Sequence, residues 1–146
     1  RSYFMEIIIA LERMYGLIGY GVTHQQTDNT PIIKNAKLRD AVLYIESRFD
    51  ESVTLPDIAK AAGMNHTTLT ALMKEELGLT AIEYLMKYRI TVAKKQLEFT
   101  SVPIKDIANM TGFKTVQHFS RVFKAQTGAA PAEFRKSTVQ KRRESF

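Results

Sequence analysis

The chain has 146 residues, 45% of them hydrophobic and 25% charged, with a net charge of +6 and an isoelectric point near 9.6. That is enough apolar material for a buried core, which excludes wholesale disorder, and the basic balance favours a polyanionic partner such as nucleic acid. There is no cysteine, which excludes a disulfide framework, a cysteine–zinc site and a thiol nucleophile.

The sequence opens on Arg1 rather than methionine, as expected of a fragment or a processed product. Residues 3–18 are predicted to be helical. Phe4, Ile8, Leu11, Tyr15 and Ile18 form an a/d seam over about two heptads, and Ile7 and Met14 widen it. Two readings stay open: a helix packed on its own domain, or a dimerisation seam at the end of a missing N-terminal domain. Two heptads are short for a self-sufficient coiled coil. Glu6, Glu12 and Arg13 break the apolar run, so it is a poor transmembrane span, and it lacks the basic start of a signal peptide. No membrane role is expected. Residues 1–20 are therefore assigned to an N-terminal helix and residues 21–35 to a polar, turn-rich linker. Gly16, Gly19 and Gly21 end the helix, and their G-x-x-G-x-G order is not a dinucleotide fingerprint.

From Ala36 to Phe49 a second helix is predicted, with Leu38, Val42, Ile45 and Phe49 on one face. Thr54 and Asp57 then read as a cap and its N3 partner, with Pro56 in the first turn of a short helix. Ile58 and Ala61 or Ala62 point inward, and Gly63 supplies a turn. Asn65 caps a helix that runs to Leu77 and is stopped by Gly78. Thr80 and Glu83 form a capping box that opens a long helix to about Phe99. Its apolar stripe is Ile82, Leu85, Met86, Ile90, Ala93 and Leu97, and its length is about 27 Å. After Thr100–Pro103 another short helix, a turn and a helix from about Thr115 to Thr127 follow. Pro131 starts a last helix, and Lys136, Lys141, Arg142 and Arg143 mark a frayed basic tail over residues 138–146. No strand signal is visible, so the fold class is all-α.

Residues 55–84 and 104–134 are two copies of one pattern. Leu55-Pro56-Asp57-Ile58-Ala59 matches Ile104-Lys105-Asp106-Ile107-Ala108, and Gly63-Met64 matches Gly112-Phe113. With one extra residue in the second turn, Leu69, Leu72, Met73, Lys74, Gly78, Glu83 and Tyr84 match Phe119, Val122, Phe123, Lys124, Gly128, Glu133 and Phe134. Each copy reads helix, glycine turn, helix, the form of a helix-turn-helix whose second helix can enter a DNA major groove.

These residues resemble the AraC/XylS family of bacterial transcription regulators over about residues 36–137. The carrying stretches are Ile104-x-x-Ile107-Ala108-x-x-x-Gly112-Phe113, then Phe119-Ser120-Arg121-Val122-Phe123-Lys124, then Gly128-x-x-Pro131-x-x-Phe134-Arg135. The first copy adds Leu55-x-x-Ile58-Ala59, Leu69-Thr70, Lys74, Gly78, Tyr84-Leu85, Tyr88-Arg89-Ile90 and Ala93. The resemblance implies a seven-helix module. One helix-turn-helix subdomain spans 36–80, the linking helix 81–99 and the second subdomain 100–137, with both recognition helices facing one side of the duplex. It also implies a cytoplasmic regulator, activating or repressing near a promoter through contact with RNA polymerase as well as double-stranded DNA. Many such proteins carry an N-terminal domain that binds an effector and dimerises. That domain would be missing here, and residues 1–34 would be its end and linker.

The outward residues of the second recognition helix are Val116, Gln117, Ser120 and Arg121. Arg121 suits guanine, Gln117 adenine and Val116 a thymine methyl. A solvated or phosphate-bound arginine is the competing reading for Arg121, and the resemblance favours base contact. The matching residues of the first helix are His66, Thr67, Thr70 and Ala71, which lack bidentate power, so specificity is expected to sit mostly in the second copy. Phosphate contacts are expected from Lys74, Lys105, Lys114, Thr115, Lys124 and Arg135. His24, His66 and His118 lack i, i+4 partners, so no metal site is expected, and they read as plain surface histidines. No cofactor is implied. No nucleophile–base pair, phosphate loop or H-E-x-x-H is present, so the chain is read as no enzyme. The alternatives are a helical protein-interaction module and non-specific architectural DNA binding.

Overall fold

The computed structural model describes residues 33–145, and residues 1–32, with the Phe4–Ile18 seam, lie outside them. Seven helices and no strand occur among the described residues: α1 (Ala36–Arg48), α2 (Leu55–Ala61), α3 (His66–Leu77), α4 (Ala81–Phe99), α5 (Ile104–Met110), α6 (Val116–Thr127) and α7 (Pro131–Glu144). The class is all-α, as the periodicity predicts.

Local chemistry sets most of the helix starts. The Asn35 side chain accepts from the backbone N–H groups of Lys37 and Leu38 at 3.0 and 3.2 Å, satisfying two orphan donors of α1. Thr54 and Asp57 exchange bonds as a capping box, the Thr54 hydroxyl accepting from Asp57 N–H at 3.4 Å and the Asp57 carboxylate from Thr54 N–H at 3.1 Å. Bonds from the Thr54 hydroxyl and backbone hold the Asp57 carboxyl below its usual pKa. Thr80 and Glu83 make the same box at the start of α4. The copies diverge here: α5 and α7 start at Pro103 and Ala130 with no side-chain cap.

The long helix α4 packs against each of the other six helices, and the groups α1–α3 and α5–α7 meet chiefly through it. The first half buries Leu38, Ile45 and Phe49 around Ile58, Leu69, Met73 and Leu85. The second half buries Ile90, Ala93 and Leu97 of α4 against Ile107, Phe113, Phe119 and Phe123. A run of ring contacts joins Phe113 to Phe119 (5.3 Å), Phe119 to Phe123 (5.7 Å) and Phe123 to Phe134 (5.3 Å). Each fully buried phenylalanine contributes roughly 1.5–3 kcal/mol through area removed from water. One expected position differs: Ile82 is exposed at the edge of α4, where Ala81 is buried instead. Of the two alanines the sequence leaves open, Ala62 turns inward. Side chains of a helix cover a stripe, and a one-residue rotation moves its edge by about 100°.

The two halves are tied by Arg89, which is 6% exposed. Its Nε donates to the Phe49 carbonyl at 2.7 Å and its Nη2 to the Glu51 carbonyl at 2.9 Å. The Phe49 carbonyl caps the C-terminal end of α1, where the helix dipole favours a cation, and the Glu51 carbonyl lies in the turn just beyond it. The same guanidinium lies 5.5 Å from the centroid of the Phe113 ring. Burial lowers the Arg89 pKa from its ordinary value, and the Asp50 carboxylate opposes that shift.

The second half repeats the tie from α7. Arg135 Nε donates to the Leu97 carbonyl at 3.2 Å, and Arg142 donates to the Glu98 carbonyl while lying over the Phe99 ring at 5.6 Å. These contacts correct the expectation of a frayed basic tail: α7 continues to Glu144, supported also by the Gln140–Glu144 bond at 3.1 Å.

Gly112 has φ +90, and a Cβ there would sit 2.6 Å from the Phe49 carbonyl oxygen. Gly78 has φ +71 with open space around it. Gly78→Ala is expected to cost about 1–2 kcal/mol from the left-handed backbone alone. Gly112→Ala adds a clash with a backbone oxygen and is expected to cost about 2–5 kcal/mol. Urea unfolding of both variants measures the difference, and equal costs would contradict the Gly112–Phe49 contact.

Candidate nucleic-acid interface

α3 and α6 are the second helices of the two helix-turn-helix units, and both pack on α4. Their starts are alike. Asn65 accepts from Thr68 N–H at 2.8 Å, and Thr115 accepts from His118 N–H at 3.1 Å. Both end at left-handed glycines, Gly78 and Gly128. Leu69 and Met73 anchor α3, and Phe119 and Phe123 anchor α6, all buried. With those positions turned inward, the outward face of α3 is Thr67, Ala71 and Lys74, and that of α6 is Gln117, Arg121 and Lys124, each at i, i+4, i+7 and all exposed.

The remaining sequence-predicted residues divide. His66, at the start of α3, is exposed, and so are Lys105, Lys114 and Thr115. Thr70 is half-buried and its hydroxyl donates to the His66 carbonyl at 2.7 Å, so its proton is used within the helix. Ser120 is half-buried beside the outward face of α6. Val116 packs against the second core and offers less of a methyl-reading surface than its position in the helix suggested. His118 is half-buried with its ring edge-on to Phe113 at 5.4 Å, a packed residue rather than a plain surface histidine. Arg135 is half-buried, and its Nε is engaged by the Leu97 carbonyl at 3.2 Å, at the end of α4.

The two faces differ in charge. α6 carries Arg121 and Lys124 with no acidic residue, whereas α3 sets Lys74 beside Glu75 and Glu76. Lys74 also lies 3.9 Å from the Glu83 carboxylate, and no such partner serves Lys124 among the described residues. A polyanion is therefore attracted more strongly to α6. Gln117 and Arg121, a fork of amide and guanidinium one turn apart, can each make two hydrogen bonds to one base edge.

The residues that hold these helices in place, Arg89 and Tyr84, stand in the sequence only as parts of the family pattern, with no structural role assigned. Arg89 lies four residues from both Leu85 and Ala93 on the buried face of α4, so an arginine at an apolar register was the available signal. Tyr84 donates to the Glu46 carboxylate at 2.8 Å, pinning α4 to α1; burial first, and then that carboxylate, push its hydroxyl pKa up. Among the described residues no group of three His, Cys, Asp or Glu side chains could hold a metal ion, and no helix is long and apolar enough to cross a membrane.

Comparison with known proteins agrees with this geometry. A family model described as a helix-turn-helix domain matches residues 58–137, more than half of the chain. The transcriptional activator NphR of Rhodococcus is 38% identical over 87 residues, covering 60% of this chain, and the chain spans 26% of NphR. A solved structure of a transcriptional regulator with an AraC-type DNA-binding domain, from Chromobacterium violaceum, is 31% identical with a TM-score of 0.67 and covers 71% of this chain and 93% of that one. The DNA-binding domain of AdpA, solved in complex with a target DNA, shares the fold with a TM-score of 0.70 at 21% identity, covering 74% of this chain and 97% of that one. The duplicated helix-turn-helix, its all-α frame and these matches together establish that the chain belongs to the AraC/XylS family of transcription regulators.

Proposed function

We propose that the chain binds double-stranded DNA in a sequence-specific manner and regulates transcription from a nearby promoter, with α3 and α6 entering successive major-groove segments. The carrying observation is the exposed Gln117–Arg121–Lys124 face of α6, matched at the same register by Thr67–Ala71–Lys74 on α3, both on the α4 frame. Subdomains 36–80 and 100–137 each grip the duplex, with 81–99 between them. Helix α4, with 19 residues, is about 28 Å long. Successive major-groove segments lie about 34 Å apart. A shortfall is met by bending the DNA, at a cost of order 1–6 kcal/mol. The AdpA domain, which shares this fold, was solved with a target DNA, which supports DNA as the partner.

In this reading the second copy carries most of the discrimination. Arg121 and Gln117 read bases, with Val116 and Ser120 at the margin. His66, Thr67, Thr70 and Ala71 read loosely or through DNA shape and water. Lys74, Lys105, Lys114, Thr115 and Lys124 hold phosphates. The protein works in the bacterial cytoplasm, contacts RNA polymerase, and takes its effector and its dimer contacts from regions outside the described residues. The Phe4–Ile18 seam is the dimerisation candidate. No enzymatic step is proposed, because the family is one of DNA-binding regulators.

Selection of bound duplexes from a random pool at about 150 mM salt, where non-specific binding is typically only about 10⁻⁴–10⁻⁶ M, tests this reading. An enriched motif of two blocks about 10 base pairs apart, the α6 block sharper, is expected. Binding with no enriched sequence would replace it with an architectural role.

Arg121→Ala is expected to change the preferred sequence at one position by about 1–3 kcal/mol of lost discrimination, and Thr70→Ala to leave the preference nearly intact. A larger shift from Thr70→Ala would overturn the asymmetry.

Lys124→Ala should lower the slope of log affinity against log salt by about 0.9. Arg135→Ala should leave that slope unchanged and lower folding stability by about 1–3 kcal/mol, since it strips the end of α4 of a charged donor. Salt titrations and urea unfolding separate the two.

A further inference from the structure

The contacts of Arg89 extend beyond the end of α1. Its guanidinium bonds the Phe49 and Glu51 carbonyls, and its carbon lies over the Phe113 ring, 5.5 Å from the centroid. Phe113 packs on Phe119 and His118, two residues of α6. On the near side, α1 packs on α2 and α3. A continuous path of packed groups therefore runs from α3 through α1, Arg89 and Phe113 to α6. Gly112 closes it from the backbone, since a Cβ there would lie 2.6 Å from the Phe49 oxygen and 3.0 Å from the Arg89 guanidinium. Elsewhere the two halves meet chiefly through α4 alone.

We propose that Arg89 is a strut that fixes the separation and relative angle of α3 and α6, and through it the half-site spacing that the protein accepts. The planar guanidinium is suited to this because it can donate from two nitrogens and at the same time meet an aromatic ring. A lysine keeps the charge but offers a point donor, without the fork or the stacking face. Relative motion of α3 and α6 must pull the guanidinium off the carbonyls or off the ring. Arg89 touches no base in this account; it is a positioning residue acting through α1 and Phe113. The spacing part of the inference rests on the DNA reading proposed above, and the separation part does not.

Because the chain has no cysteine, Glu75→Cys and Gln126→Cys, at exposed positions near the ends of α3 and α6, give a unique pair for nitroxide labels. Pulsed electron paramagnetic resonance on the labelled 146-residue chain should show one narrow distance. Arg89→Lys should widen that distribution at least about twofold with helix content by circular dichroism unchanged, as expected when two packed bodies lose a shared strut. Arg89→Met should widen it further, and if Arg89→Met fails to fold, Arg89→Lys decides. An equally narrow distribution in folded Arg89→Lys would overturn the proposal.

The second readout uses the selected duplex with its two blocks moved apart or together by one base pair. The parent should lose about tenfold in affinity, the scale of one badly met base pair, and Arg89→Lys no more than about threefold. Parent-like discrimination by Arg89→Lys would overturn the spacing role. A parent that selects no sequence, but whose label distance widens in Arg89→Lys, would uphold the strut and overturn the DNA reading.

Discussion

A single buried guanidinium ties together two halves that otherwise meet chiefly through α4. Arg89 reaches from the middle of α4 to the carbonyls of Phe49 and Glu51 at and just beyond the end of α1, and lies over Phe113 at the turn of the second helix-turn-helix. Taking a charge out of water is costly, and the cost is met only where several partners converge. Here they converge on the seam between two small cores that otherwise share little besides α4. Loss of one partner of such a buried charge typically costs about 3–5 kcal/mol. Two weak grips on one polymer add up only if their separation matches the sites they occupy. The strut gives the recognition helices a fixed separation, so the energetics of the seam and the reading of DNA are one problem.

The duplication in the sequence is also a duplication of tertiary logic. In each half an arginine from the later helix binds the carbonyls at the end of the earlier one: Arg89 at α1, Arg135 and Arg142 at α4. In each half the second helix buries two large side chains and exposes a matching set at i, i+4, i+7. What has diverged is the outward set. α6 holds an amide, a guanidinium and an ammonium with no carboxylate partner among the described residues, whereas α3 holds a hydroxyl, a methyl and a lysine set among glutamates. The frame is repeated and the chemistry presented on it is not, which is how one scaffold can hold one strong reader and one weak one.

The helices themselves were legible because their signals are local. Asn35, Thr54, Asn65, Thr80 and Thr115 satisfy nearby N–H groups, and Gly78 and Gly128 take the left-handed turns that end α3 and α6. Periodicity found Leu38, Ile45, Leu69 and Phe119, whose burial follows from the 3.6-residue repeat. The outward positions Gln117 and Arg121 followed from the same repeat. The ties escaped because each joins residues far apart in the chain: Arg89 to Phe49, Arg135 to Leu97, Tyr84 to Glu46. A basic side chain near a helix end looks the same in sequence whether it meets a phosphate or a carbonyl. That ambiguity hides the bond of Arg135 to the end of α4 and makes the end of α7 read as a tail. Val116 and His118 were misjudged for a related reason, since the first turn of α6 lies close enough to Phe113 for partial burial.

The central claim is that α3 and α6 grip one face of a duplex together, held apart by the α4 frame. Hydroxyl-radical footprinting on a selected duplex measures this most directly, because it maps shielded sugars without altering the protein. The account predicts two protected patches on the same face, about 10 base pairs apart, the patch under α6 the deeper. One patch alone, or protection spread evenly around the duplex, would contradict it.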